Sequence, residues 1–241
     1  SVAPGLAKGI KRLSQVNMVL AIGLALFVFV AGPTVFLLDS FIQNIGYYFQ
    51  RFIYLSTWTE SYTSGEWQLD WTIFFYAWWI SWSPFVGIFI GRISYGRTVR
   101  EFILGALLVP SLFTFAWMTV FGDSALHIEL FGEGGLQQAV ATSLPDALFA
   151  FLDHFPAPAF FSALAVVIVA TFFVTSADSG ALVVAMIASG GDHEAGFAPR
   201  VIWSMMIGAL AAGLLFAGGL DALQTAAIVT GLPFALVLLA M

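Results

Sequence analysis

Three tryptophans in the second apolar run of the chain, Trp78, Trp79 and Trp82, are the residues best suited to binding chemistry. Trp78 and Trp82 are four residues apart, so a helix places them on one face, and Trp79 is the next neighbour around the helix. They follow Trp71 by seven to eleven residues, which is ~10–17 Å along a helix and therefore near the middle of a bilayer. Tryptophan usually collects at membrane interfaces. Because an unpaired indole N–H is costly in hydrocarbon, we expect this cluster to face a cavity or other helices.

The cluster predicts a site for a cation that donates no hydrogen bonds. Ring faces attract a quaternary ammonium through their quadrupoles, by about 2 kcal/mol per desolvated contact, and no carboxylate is needed. Packing of large side chains between helices is the alternative that composition leaves open. Phe85 continues the face of Trp78 and Trp82. Pro84 removes one backbone hydrogen bond, which predicts that the helix bends or opens beside the cluster.

A second group of polar residues lies in the fourth apolar run, around Asp178. An acid inside a membrane is a functional candidate because its burial is costly; the alternative is that it bonds a neighbouring backbone N–H. Thr171, Thr175 and Asp178 share one helix face, and hydroxyl and backbone carbonyl oxygens are hard ligands suited to a small cation such as Na⁺. Thr175, Ser176 and Asp178 together therefore favour an ion site or a structural polar site. Serine and threonine also hold membrane helices together, and spacing alone favours that role for Thr171 and Ser179.

Six apolar runs are long enough to be transmembrane helices, since each is near or above the ~20 residues that cross a ~30 Å hydrocarbon core. They do not alternate in polarity as β-barrel strands do. The predicted fold class is therefore an all-α membrane protein with six transmembrane helices in a single domain over residues 1–241. An amphipathic helix at about 41–57 either lies at the outer interface or packs in an outer loop. The runs are about 16–38, 71–90, 102–121, 159–188, 201–220 and 222–241.

Composition supports a membrane protein and excludes other classes. Hydrophobic residues make up 60% of the chain and charged residues 9%, whereas a soluble domain has about 25% charged residues. The net charge of −6 argues against a nucleic-acid partner, and the absence of cysteine excludes disulfides and thiolate metal sites. With six crossings, seven of the eight cations lie on one side and only Arg51 on the other. The positive-inside rule then places the N-terminal segment in the cytoplasm.

Other interpretations carry less weight. Asp192, His193 and Glu194 could hold a metal, but a solvated loop is favoured there. An intramembrane hydrolase using Asp178 is disfavoured, because no run offers a second central acid or a histidine. A sensor or assembly subunit that transports nothing is a third hypothesis. The chain ends at Met241 inside an apolar run, and this favours a segment of a longer transporter-like chain.

The tryptophan run resembles the signature of the betaine/choline/carnitine transporter family. The resemblance rests on residues 77–85 and 91–102, while 171–179 is similar to the sodium-site helix of that family, and 17–21 with 32–34 also match. It extends over essentially the whole chain. It implies a protein of twelve spans with two inverted five-helix repeats, as in the neurotransmitter:sodium symporter fold. This sequence would be the second half.

The resemblance also implies a function and a site. It implies secondary active import of a trimethylammonium compatible solute, glycine betaine ahead of choline or carnitine, coupled to Na⁺. Proton-coupled choline uptake and ion-independent exchange stay open. It further implies a homotrimer in a bacterial-type cytoplasmic membrane, with no enzyme activity and no cofactor besides the coupling ion. The implied substrate residues are Trp78, Trp79 and Trp82. A sodium site is implied at Phe172, Thr175 and Ser176, with Na⁺ at Thr175 and Ser176, and Phe85 lies near a second sodium site. Pro84 and Asp178 have structural or coupling roles.

Overall fold

The computed structural model describes residues 7–63, 65–191 and 196–240. The regular elements of these residues are all helices, which confirms the predicted all-α class. Short π-helical segments at Gln68–Ile73 and Thr119–Asp123 and a 3₁₀ turn at Leu144–Asp146 join some of them. The loop residues Asp192, His193 and Glu194 lie outside the described residues. The α-helices are α1 (Ala7–Ala31), α2 (Thr34–Thr57), α3 (Phe74–Ile93), α4 (Val99–Met118), α5 (Ser124–Phe131), α6 (Leu136–Thr142), α7 (Ala147–Leu152), α8 (Pro158–Ala188) and α9 (Phe197–Ala240).

Five helical segments of the described residues are long and apolar enough to cross a membrane, against six predicted runs. Four of them contain predicted runs in whole or in large part. The difference in number arises in α9, which contains the predicted run 201–220 and residues 222–240 of the predicted run 222–241. The five segments are Lys11–Ala31, Gln68–Gly91, Val99–Phe131, Pro158–Ala188 and Phe197–Ala240.

The predicted run at 16–38 is not one helix, and this boundary was wrong. Pro33 has no N–H to donate to the carbonyl of Phe29, and the hydroxyl of Thr34 donates to that oxygen instead, at 2.8 Å. Gly32 closes the end of α1, where a Cβ would lie only 2.7 Å from the carbonyl oxygen of Val28. The chain therefore leaves α1 at this point, and the segment predicted as an amphipathic helix at 41–57 is the larger part of α2.

A break inside α9 separates the last two apolar runs. Gly218 has φ −166° and ψ 23°, and Gly219 has φ 63° and ψ −145°, so neither residue is helical. The positive φ of Gly219 is a conformation that favours glycine. The 44 residues of α9 would reach ~66 Å as one straight helix, about twice the ~30 Å hydrocarbon core.

Contacts divide the chain into two compact units. One contains Ile10–Ser56 and Arg97–Phe173. Its core joins buried residues of α1, α6, α7, the turn after α7, and α8, namely Leu24, Val28, Leu136, Phe151, Leu152, Phe155 and Ala165. The other contains Thr57–Gly96 and Val174–Met241. In this second unit the main helix–helix contact is between α3 and α9. The predicted tryptophan cluster lies in the second unit.

A hydrogen bond joins α1 to α8 in the first unit. The hydroxyl of Thr171 lies 2.6 Å from Oδ1 of Asn17, and it also lies within 3.0 Å of two carbonyl oxygens of its own helix. Asn17 is buried. Thr171 therefore has the helix-linking role that its spacing favoured.

We expect the effects of Asn17→Ala and Thr171→Val on the free energy of unfolding to be non-additive. Bonds of this kind between membrane helices contribute about 0.6 kcal/mol on average and up to about 1.7 kcal/mol. A double-mutant cycle on the free energy of unfolding of the full-length protein in mixed micelles should give a coupling energy in that range. A coupling energy of zero would show that the contact does not stabilise the protein.

Candidate functional site

Trp78 and Trp82 form a stack along α3. Their ring centroids are 6.3 Å apart and their planes differ by 11°. Phe74 extends the stack by one turn, with a centroid separation of 6.1 Å from Trp78 and an angle of 17°. Trp79 lies beside it, 6.3 Å from Trp78 and 5.9 Å from Trp82. The structure thus brings the three predicted tryptophans together, and we call Phe74, Trp78, Trp79 and Trp82 the aromatic column.

The indoles of this column keep much of their surface free within the chain. Trp78, Trp79 and Trp82 are 44%, 45% and 37% exposed. Large aromatic surfaces of this kind can be covered by a bound cation or by a further helix. Both interpretations of the sequence therefore fit the geometry of the column.

The neighbouring face of α3 packs against α9 and carries the residues just before two of the tryptophans. The hydroxyl of Ser81 lies 2.8 Å from the carbonyl oxygen of Ala77, 3.1 Å from that of Ala227 and 3.3 Å from Oγ1 of Thr230. Close by, a Cβ on Gly231 would lie 2.9 Å from the carbonyl oxygen of Ala77. One face of α3 is thus held by α9, while the adjacent face presents the indoles.

Pro84 lies inside α3 without interrupting it. The helix continues to Ile93, so of the two predicted outcomes at Pro84, bending or opening, the opening is wrong. Proline cannot donate to the carbonyl of Ile80, four residues earlier, and the hydroxyl of Ser83 donates to that oxygen at 2.8 Å. A side-chain hydroxyl therefore satisfies the carbonyl that Pro84 leaves without its helical partner. Phe85 packs toward α9, with its ring centroid 6.4 Å from that of Phe234.

The predicted sodium ligands lie on α8. Thr175 and Ser176 are half-buried neighbours, Phe172 is exposed one turn earlier, and Asp178 is buried. The carbonyl oxygen of Thr175 accepts a bond from the hydroxyl of Ser179 at 3.0 Å. Because helix carbonyls already accept backbone hydrogen bonds, α8 offers an ion chiefly the hydroxyl oxygens of Thr175 and Ser176. These two oxygens can supply part of a coordination shell, and other segments must supply the rest.

Several residues that organise these helices were not singled out from the sequence. Asn17 bonds Thr171, Ser81 bonds across to α9, and Ser83 completes the bonding around Pro84. A serine directly before a proline in an apolar run is a signal that could have identified Ser83. No comparable local signal exists for Ser81 and Gly231, since their contacts join residues about 150 positions apart in the sequence.

Comparison with known proteins identifies the family. The family model described as betaine/carnitine/choline family transporter matches residues 1–241. The chain is 46% identical over 239 residues to the glycine betaine transporter OpuD of Bacillus subtilis, covering 98% of this chain and 46% of that protein. It is 40% identical over 241 residues to the ectoine/hydroxyectoine transporter of Virgibacillus pantothenticus, covering 100% and 48% respectively. It is 42% identical over 242 residues to the high-affinity choline transport protein of Escherichia coli, covering 99% and 36%.

The chain therefore spans less than half the length of these curated relatives. The match confirms the resemblance seen in the sequence, and the named relatives are described as transporters. Together with the five membrane-length apolar helical segments among the described residues, the match also indicates an integral membrane protein. This chain belongs to the betaine/carnitine/choline family of transporters.

Proposed function

We propose that the full-length protein imports a trimethylammonium compatible solute, with glycine betaine as its first substrate, by Na⁺-coupled secondary transport. The observation that carries this proposal is the aromatic column on α3, where three half-exposed indoles lie together. A trimethylammonium group has no N–H to donate, so carboxylates and carbonyls give it no hydrogen bond. Aromatic faces can hold such a group, by about 2 kcal/mol or more per desolvated contact.

The named relatives support this substrate class. Two of them are described as transporters of glycine betaine and of choline, and both substrates carry a trimethylammonium group. Choline is the alternative substrate, and its uptake could be driven by protons. Exchange without a coupling ion is the further alternative within the family. Ectoine, the substrate named for a third relative, serves as a competitor that lacks this group.

Sodium coupling is supported by the hydroxyls of Thr175 and Ser176, which belong to consecutive residues of α8. Hydroxyl oxygens are suitable ligands for a hard cation. Phe172 would lie at this sodium site and Phe85 near a second one, each through its backbone or its ring. Asp178 and Pro84 would have structural or coupling roles. Segments outside this chain would complete both the substrate box and the ion site.

The proposed architecture has twelve spans and two inverted five-helix repeats, of the neurotransmitter:sodium symporter type. The six predicted runs of this chain require α9 to cross the membrane twice, and the break at Gly218 and Gly219 is where its two spans would separate. The cations place the N-terminal segment of the chain on the cytoplasmic side of a bacterial-type inner membrane. A trimer is the proposed assembly. Alternating access would move one helix bundle against another around a site near the midplane.

Uptake into proteoliposomes holding the full-length protein tests this function. Labelled glycine betaine should accumulate when Na⁺ is present outside, and at least about tenfold less when K⁺ replaces it, as expected for thermodynamic coupling between two ligands. Unlabelled choline should compete better than ectoine. Equal uptake in the two salts would exclude Na⁺ coupling, and a protonophore arm would then test proton coupling. Uptake of neither glycine betaine nor choline would overturn the proposed substrate class.

A further inference from the structure

We propose that residues 227–231 of α9 brace the tryptophan-bearing helix, and that Ser81 and Gly231 are positioning residues for Trp78 and Trp82. The inference rests on the proposed function in one respect, namely that these indoles bind the substrate. The brace itself is a property of the α3–α9 contact. Neither residue touches the proposed ligand site through its own side chain.

The first part of the brace is a contact between backbones. A Cβ on Gly231, which is buried, would lie 2.9 Å from the carbonyl oxygen of Ala77, 3.0 Å from its Cβ and 3.1 Å from its Cα. Two of these atoms belong to the backbone, so no change of rotamer could relieve the overlap. Any larger side chain at position 231 must push the two helices apart. Small residues allow this close approach of helices in membranes.

The second part is a polar link at the next turn of α3. Ser81 lies within hydrogen-bonding distance of the carbonyl oxygen of Ala227 and of the hydroxyl of Thr230. Thr230 in turn lies 3.0 Å from the carbonyl oxygens of Ala226 and Ala227. No water competes for these groups within the hydrocarbon of a bilayer. The Ser81 hydroxyl also lies 2.8 Å from the carbonyl oxygen of Ala77 in its own helix, and its contacts to Ala227 and Thr230 favour one register of α3 against α9.

The braced residues are placed so that they control the indoles. Ala77 directly precedes Trp78, and Ser81 directly precedes Trp82. Successive helix residues are separated by about 100° around the axis, so any rotation of α3 that loosens the contact turns both indoles by the same angle. Among the described residues, the aromatic column makes its ring contacts within α3 itself. The brace is thus what orients the column relative to α9.

Gly231→Ala in the full-length protein is the first test. It should raise the Kd of labelled glycine betaine about tenfold, because small displacements of supporting residues weaken a preorganised site. Gly213→Ala is the matched control on the same helix, since a Cβ there meets nothing within 4 Å. We expect its Kd to stay within about twofold of the parent, in line with other open surface positions.

Ser81→Ala is a second variant, which overpacks nothing and so keeps the proposal open to test if Gly231→Ala does not fold. It should raise KM several-fold while kcat stays nearly constant, and Ser81→Thr should restore KM because it keeps the hydroxyl. Ser111→Ala is the control, since that hydroxyl bonds only the carbonyl of Leu107 in its own helix. If neither Gly231→Ala nor Ser81→Ala changes Kd or KM, the brace does not position the indoles.

A cross-link separates failure of the brace from failure of the proposed function. A Cβ at position 231 would lie 3.0 Å from that of Ala77, which is below the ~3.5–4.5 Å of a disulfide, so the small outward shift that a side chain at 231 imposes moves the pair toward that range. Oxidation should therefore join the Ala77→Cys/Gly231→Cys pair, and not the Ala77→Cys/Gly213→Cys pair. If the parent protein bound no trimethylammonium compound, the proposed function would fail, yet the brace would still be tested. Acrylamide quenching of tryptophan fluorescence should then differ between Gly231→Ala and Gly213→Ala. The brace would be overturned if the two variants were quenched equally and the Ala77→Cys/Gly231→Cys pair did not cross-link.

Discussion

Trp82→Ala is expected to raise the KM of glycine betaine uptake about 30-fold with little change in kcat. The expected size follows from the loss of one cation–π contact of about 2 kcal/mol, since about 1.4 kcal/mol corresponds to a factor of ten. Trp82 stacks on Trp78 and contacts Trp79, so its removal also leaves the column open at one end. The KM of Trp82→Phe should fall between those of the parent protein and Trp82→Ala, because phenylalanine keeps a smaller ring face.

Phe89→Ala is the matched control for this substitution. Phe89 lies on the same helix, and its exposed fraction is 37%, equal to that of Trp82. Concentration series of labelled glycine betaine in proteoliposomes give KM for each variant. An unchanged KM in Trp82→Ala would remove this residue from the substrate site. An equal rise in Phe89→Ala would indicate a general effect of cutting an aromatic side chain from α3.

Thr175→Ala is expected to raise the Na⁺ concentration for half-maximal uptake about tenfold, on the scale of ~1–3 kcal/mol for losing one buried polar contact. The KM for glycine betaine at saturating Na⁺ should stay within about twofold, because the hydroxyl serves the ion rather than the substrate. Thr175→Ser should behave like the parent protein, since it keeps the oxygen. Ser176→Ala should show a comparable loss of apparent Na⁺ affinity.

Two outcomes would contradict this assignment. If uptake in the parent protein depends on Na⁺ but Thr175→Ala and Ser176→Ala keep the parent's apparent affinity for Na⁺, the ion binds elsewhere. If Thr175→Ser fails as badly as Thr175→Ala, the effect comes from packing. Ser111→Ala serves again as the control, because its exposed hydroxyl bonds only its own helix. Asn17→Ala, which acts on the bond to Thr171, should alter stability more than apparent Na⁺ affinity.

Local chemistry explains which parts of the fold were predictable. The apolar runs predicted the helices because each run must satisfy its own backbone within hydrocarbon. The spacing of Trp78 and Trp82 predicted their stacking, since residues i and i+4 meet on one helix face. Pro33 and Pro84 look alike in sequence, but the run predicted at 16–38 ends as a helix before Pro33, whereas α3 continues through Pro84. Thr34 bonds Phe29 where the chain leaves α1, whereas Ser83 bonds Ile80 and α3 continues.

The helical class and the tryptophan cluster could be predicted from the amino-acid sequence because each depends on residues that are close together along the chain. The family could be predicted because its motifs recur along the whole chain. The tertiary structure alone decided which face of α3 is held and which is free. Ser81 and Gly231 carry no signal of that contact, since about 150 residues separate them and backbones can meet only where both surfaces happen to be small. Close approach between distant segments is a property of packing, and packing is settled only when the helices come together.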